Sequence, residues 1–168
     1  EHRMGSLSTR TTHPYFMGLL QELITAMALE IAIVNPYQFK TKGEMMLECK
    51  DFDFLKSNYP LTMSCSHPDL GRWKKEKESS HCGVCLPCTI RRSAILKAGL
   101  KDESFYRDPQ YKDIEAETNL RSYKLGLTQK KTPIWAIQES GPITHHRQDF
   151  ADLYHRGLAE LKEFIDTL

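Results

Sequence analysis

Met63-Ser64-Cys65 and, sixteen residues further on, His81-Cys82-Gly83-Val84-Cys85-Leu86-Pro87-Cys88-Thr89-Ile90-Arg91-Arg92 decide how this chain is read. The second stretch places three thiols two residues apart twice over, so that a tight turn and a helix start can aim three sulfurs at one point. A fourth ligand must close the shell. Cys65 is the candidate, because it follows an alternating, strand-like run, Leu61 to Cys65, and the polar stretch from Ser66 to Ser80 is long enough to fold back. Four thiolates filling all four tetrahedral positions is the donor set of structural zinc. Two rivals stay open at this point: reduced, buried thiols without metal, and an iron-sulfur cluster, which also uses cysteines two residues apart. Cys49 stands away from the others and reads as a packed free thiol.

Outward from the cysteines, the rest of the sequence is helical in pattern. Phe16, Leu19, Leu20, Leu23, Ile24, Met27 and Ile31 recur at helical spacing from Pro14 to Ile31. Ile31 to Val34 fits either a buried strand or the frayed end of that helix. Thr41-Lys42-Gly43-Glu44 has the form of a capping box ahead of a short helix. Pro87 to Leu100 predicts a helix closed by Gly99, and Lys101 to Asp113 reads as a polar linker with aromatic punctuation. Ile114 to Leu127 is weakly helical, Thr132 to Ile137 is a short apolar segment, and Phe150 to Leu168 carries the cleanest helical stripe.

The 168 residues are 40% hydrophobic and 27% charged, which is ordinary for a folded domain. Against 22 acidic residues stand 23 basic ones, a formal net charge of +1, so no global field recommends a polyanion and nucleic acid is not expected as a partner. The cluster Arg72, Lys74, Lys75 and Lys77 around Trp73 is the one local argument for a binding module without catalysis, and Glu76 and Glu78 dilute it. No apolar run approaches the roughly 20 residues of a membrane span. Clustered cysteines fit a reducing compartment, so the cytoplasm is the expected location. The opening residues, with Gly5-Ser6-Leu7-Ser8-Thr9-Arg10, read as the middle of a longer chain.

The cysteine segment, with Ser64-Cys65 ahead of it and Arg91-Arg92 behind, resembles the C-terminal zinc region of the QueC family, the 7-cyano-7-deazaguanine synthases. Thr41-Lys42-Gly43-Glu44 is similar to a lysine-containing segment of those enzymes, and Thr9 to Pro14 falls where their substrate-side loop lies. The longer Cys65 to Cys82 loop, together with Leu86-Pro87 and Leu7 to Pro14, is more similar to the QueC-like proteins of antiphage defence systems such as QatC.

That resemblance implies an α/β fold for the complete protein, adenine nucleotide alpha hydrolase-like, of which this portion is mainly α with a four-cysteine zinc knuckle made by Cys65, Cys82, Cys85 and Cys88. Residues 1–100 would be the C-terminal part of the QueC-like domain, and residues 101–168 a helical extension. The implied chemistry is ATP-dependent adenylation of a deazapurine carboxylate, with Mg2+, followed by transfer to ammonia or to a protein amine. Lys42 and Arg91 are the implied catalytic cations, and Arg10, Thr11, His13 and Arg92 the substrate contacts. The family's Ser-Gly-Gly-x-Asp-Ser phosphate loop does not occur in these residues, so ATP is expected only with a further N-terminal half. A partner protein encoded in the same defence operon is a further expectation. The alternative is a zinc-stabilised nucleic-acid- or protein-binding module.

Overall fold

A computed structural model describes residues 12–74, 78–129, 131–139 and 141–168. The elements are helices: α1 Pro14–Ala26, α2 Lys42–Leu47, α3 Phe52–Asn58, α4 Leu86–Lys97, α5 Ile114–Thr128, α6 Pro133–Gln138 and α7 Arg147–Ile165. Two 3-10 turns, Tyr59–Leu61 and Pro68–Lys74, separate α3 from α4. Pairing of strands is limited, among the described residues, to one isolated parallel bridge between His81 and Tyr106. Among the described residues no helix is long and apolar enough to cross a membrane.

The chain forms two compact units, Glu1–Lys40 with Lys131–His155, and Thr41–Lys130 with Arg156–Leu168. In the first, His13 caps α1 by accepting the Tyr15 N–H at 3.2 Å, and Pro14 takes the first turn, where its missing N–H costs nothing. The helix stops at Ala26, shorter than the apolar spacing predicts. Residues 29–35 then run as neither helix nor strand, held by Gln21, which donates to the Ile31 carbonyl at 2.9 Å and accepts the Ile33 N–H at 2.8 Å. Ile137, Ile143 and Ala151 form the small core of this unit, with Phe150 and Tyr154 against it.

The second unit is built on α4, whose inner face buries Cys88, Thr89, Ala94 and Ile95. Helix α2 lies against it because Gly43 allows it: a Cβ there would stand 2.7 Å from Lys97 Cγ. The capping box at the start of α2 is complete, with Glu44 N donating to Thr41 Oγ1 at 3.1 Å and Thr41 N to Glu44 Oε2 at 2.8 Å. The C-terminal part of α7 fixes both members. Arg156 Nε donates to Glu44 Oε1 at 2.6 Å, and the Thr41 hydroxyl donates to the buried Glu160 carboxylate.

Two expectations need correction. Residues 61–65 alternate like a strand, but without a partner strand they form a 3-10 end and irregular chain, with the Thr62 hydroxyl donating to the Tyr59 carbonyl at 2.8 Å. The segment expected to be a linker, 101–113, is packed: Tyr106 and Tyr111 are buried. Its backbone joins the cysteine turn, Arg107 N donating to His81 O at 3.0 Å and Asp108 N to Cys82 O at 3.1 Å.

Candidate metal centre

Each cysteine arrives by a different local device. Cys82 is followed by Gly83, whose φ of +89° turns the chain back, and no side chain fits there because a Cβ would lie 2.7 Å from the Asp108 carbonyl oxygen. Cys85 is the N-cap of α4, and Pro87 in the first turn starts the helix. Cys88, fully buried, then points from that first turn. Cys65 comes from the irregular chain after the 3-10 turn.

Their four sulfurs converge, all within 4.8 Å of one another. Cys65 and Cys85 are 4.0 Å apart and Cys82 and Cys88 3.9 Å, and none is disulfide-bonded. Sulfurs bound at about 2.3 Å around one tetrahedral ion stand about 3.8 Å apart, so the site fits a single metal ion. A cluster of several irons would hold the sulfurs on separate metal atoms and spread them further. Backbone amides also aim at the sulfurs: Cys82 N and His67 N at Cys65 Sγ, both 3.3 Å, Cys85 N at Cys82 Sγ, 3.3 Å, and Ser66 N at Cys85 Sγ, 3.5 Å. Such donors favour thiolate over thiol. Left to themselves the four thiols compete for protons. Hydrogen bonding with Cys82 pulls Cys65 down to about 6, and Cys65 in turn pulls Cys85 down and pushes Cys82 and Cys88 up. A bound cation removes that competition.

The surroundings immobilise the knuckle. Thr89 donates to the Cys85 carbonyl at 3.0 Å and shares a 2.7 Å hydrogen bond with the Tyr111 hydroxyl. Tyr123 donates to the Val84 carbonyl at 3.0 Å. His81 is buried, with Nε2 3.1 Å from the Thr62 carbonyl and Nδ1 3.8 Å from Cys88 Sγ. A carbonyl only accepts, so Nε2 carries the proton, and burial and then the Arg91 charge hold the ring's pKa below the ordinary histidine value. His81 therefore supports the site, beside four sulfurs that already complete it.

Arg91 and Arg92 part company on α4. Arg91 is buried, donating to Thr62 Oγ1 and Tyr59 O, both at 2.6 Å, and to Ser104 Oγ at 3.0 Å. Its Nε–H is buried without a partner, and no carboxylate stands at ion-pair distance from it among the described residues. Arg92 lies over the rings of Phe164 (4.6 Å) and Tyr106 (5.1 Å) and donates to the Pro109 carbonyl at 2.8 Å. Lys42, the first residue of α2, is exposed as a residue, yet burial around its ammonium and then the Arg91 charge pull its pKa below the usual lysine value. Lys42 and Arg91 are thus within electrostatic reach of each other, and among the described residues neither forms an ion pair.

His13 is in the other unit, at the start of α1, its ring against Gly141. Arg10 and Thr11 lie outside the described residues, as do Lys75 and Lys77 and the side chains of Arg72, Trp73 and Lys74. What the sequence reading missed is Tyr59, Thr62, Ser104, Tyr106, Tyr111 and Tyr123. Only Tyr106 and Tyr111 had a local signal, the aromatic punctuation of the supposed linker.

Compared with known proteins, residues 12–99 match the family model described as queuosine biosynthesis protein QueC, a little over half of the chain. A curated 7-cyano-7-deazaguanine synthase from Methylobacillus flagellatus is 30% identical over 105 residues, covering 61% of this chain and 42% of that protein. The chain thus spans less than half the length of the curated relative it matches. No solved structure matches.

Proposed function

Since the chain belongs to the QueC family, we propose that its four cysteines hold one zinc ion and that the region they stiffen serves ATP-dependent activation of a deazapurine carboxylate. The observation that carries the reading is the convergence of four sulfurs at single-ion spacing, with the lysine-bearing capping box packed on the helix that supplies two of them. Zinc supplies rigidity there. It has four protein ligands and no open position for substrate.

The reaction has two halves. A carboxylate oxygen of the base attacks the α-phosphorus of ATP and expels pyrophosphate; a nitrogen nucleophile then attacks the acyl carbon, loses a proton, and AMP departs with the bonding pair. With ammonia the product is an amide, and a second activation and dehydration yields a nitrile. With a protein amine the base becomes attached to a partner, the outcome that fits an antiviral role and a partner from the same operon. The reducing cytoplasm suits either.

Both halves gather negative charge at phosphate and acyl oxygens, which fixed cations stabilise. We assign that contact to Lys42, which stands exposed with no hydrogen bond or ion pair among the described residues. Arg91 is a positioning residue: its two terminal nitrogens are spent on Tyr59, Thr62 and Ser104, and its charge holds Lys42 responsive to an incoming anion. The ATP-binding half we place in the part of the family's length that this chain does not span. The apolar residues left exposed on α1 and at its C-cap, Phe16, Leu19, Leu23 and Met27, suit contact with such an α/β half.

The test is pyrophosphate release from ATP by the protein that carries this chain together with an ATP-binding half, on addition of 7-carboxy-7-deazaguanine. Release that depends on the base supports the reading. A protein that is zinc-loaded, binds ATP and releases no pyrophosphate with the base refutes it, and tight, salt-sensitive binding of oligonucleotides would point to a binding module.

A further inference from the structure

Alongside α4 opens a cavity of about 300 Å3. Ile95, Leu96, Leu100 and Phe164 give it an apolar wall; Asp102, Ser104 and Tyr106 give it a polar side, with Arg92 beside them. Most of this lining falls outside residues 12–99, the segment that matches the family. The volume is at the lower end for a small-molecule pocket and suits one bicyclic ring.

Asp102 sets the chemistry. Its Oδ1 accepts the Ser104 N–H at 3.0 Å and its Oδ2 the Tyr106 hydroxyl at 2.8 Å, while among the described residues no cation stands at ion-pair distance from it. A carboxylate oxygen accepts about two hydrogen bonds, so each oxygen has capacity for one more. The Tyr106 phenol is no competitor for the proton balance: burial, then its hydrogen bond to Asp102, raise its pKa well above the ordinary tyrosine value. An occupant with two neighbouring N–H donors matches that capacity. Arg92 is already fixed in its aromatic seat at the same cavity, which disfavours a second cation and favours a neutral ring with a carbonyl acceptor.

We infer that this cavity binds the amino-oxo edge of a guanine-type base, two N–H groups meeting Asp102 and the ring lying against Ile95, Leu96 and Leu100. The inference rests on the proposed deazapurine chemistry and adds to it where the base is held. It makes the segment after residue 99 part of base recognition.

The experiment is calorimetric titration of the zinc-loaded chain, without ATP, with 7-carboxy-7-deazaguanine, adenine and benzamidine, together with amide chemical-shift mapping. The deazaguanine is expected to bind, with shifts centred on residues 100–109 and 164–167. Adenine, lacking the paired donors, should bind at least about tenfold more weakly, and Asp102→Asn should weaken deazaguanine by a similar factor, as loss of a charged hydrogen-bond acceptor does. Leu96→Trp, which fills the cavity and keeps Asp102, should also weaken it and serves if the Asp102 variant does not fold. Unchanged affinity in folded, zinc-loaded variants, equal binding of adenine or benzamidine, shifts elsewhere, or no binding at millimolar base would each overturn the inference. Base-dependent pyrophosphate release by the longer protein would survive any of these, so the two readings fail separately.

Discussion

Gly83 shows how much one residue decides. Its φ of +89° costs another residue about 1–2 kcal/mol, and a Cβ would also press on the Asp108 carbonyl oxygen at 2.7 Å. Gly83→Ala should destabilise the metal-loaded protein by about 2 kcal/mol or more in urea unfolding and weaken metal retention against a chelator; a variant as stable as the parent would show that the turn is not strained. Asp108 acts from the other side of that contact. Burial raises its pKa, but N–H donors from Asp113, Lys112 and Gln110 outweigh it and leave the carboxyl below the ordinary value. Its contribution is therefore fully present above the unfolded-state pKa of about 3.9 and disappears as pH falls through the lower folded value. Between neutral pH and that acid window, Asp108→Asn should lose less stability than the parent; parallel losses would count against the assignment. Lys42 belongs to the same scale. Lys42→Ala should lower base-dependent pyrophosphate release on the order of a hundredfold with zinc content unchanged, whereas Lys101→Ala, exposed beyond the end of α4, should be silent. Full turnover in the Lys42 variant would return it to the solvated surface.

Among the elements, the legible ones were those whose signals are local. The capping box at Thr41, the Pro-initiated start of α4 and the apolar stripe of α7 each announce themselves within a few residues, and each is present. The run 61–65 misled because alternation describes a strand only when another strand accepts its hydrogen bonds, and here a 3-10 turn, His81 and Arg91 take the Thr62 groups instead. The segment 101–113 misled for the opposite reason: it is polar, and nothing in its own spacing reveals that Tyr106 and Tyr111 close over α4. The meeting of α2 with α4 tests the packing argument. In an exposed helix Gly43→Ala would stabilise by roughly 1 kcal/mol. Here the new methyl meets Lys97 Cβ and Glu160 Oε1, both at 2.8 Å, and the first of these cannot swing away. Overpacking of this kind costs about 1–3 kcal/mol, so the net change should be destabilising. A higher melting temperature in the alanine variant would mean that α2 yields.

For the molecule as a whole, the cysteine spacing carried most of what the sequence could say about function, because four thiolates at one point constrain chemistry far more than any helix does. The four cysteines come from residues 65 to 88, yet the groups that hold them reach to Tyr123, so a metal bound there would tie together segments with little apolar core of their own: the buried cluster around the site consists of Cys82, Cys85 and Cys88, with Cys65 and Val84 against it. Structural zinc contributes folding free energy comparable to the roughly 5–15 kcal/mol by which a whole domain is stable. Purified protein should therefore hold one equivalent of zinc and show no visible absorption; iron with a brown colour would identify a different centre. Cys85→Ser, or treatment with a strong chelator, should release that metal and abolish hydrogen-exchange protection in residues 81–92 and 104–111, since the His81 to Arg107 and Cys82 to Asp108 backbone hydrogen bonds depend on the turn. Cys49→Ser, at a thiol whose partner is the Asp51 carbonyl at 3.3 Å, should leave both metal and protection in place. Retained protection in the metal-free protein would mean that the tyrosines around α4 hold the knuckle by themselves and that zinc is a passenger.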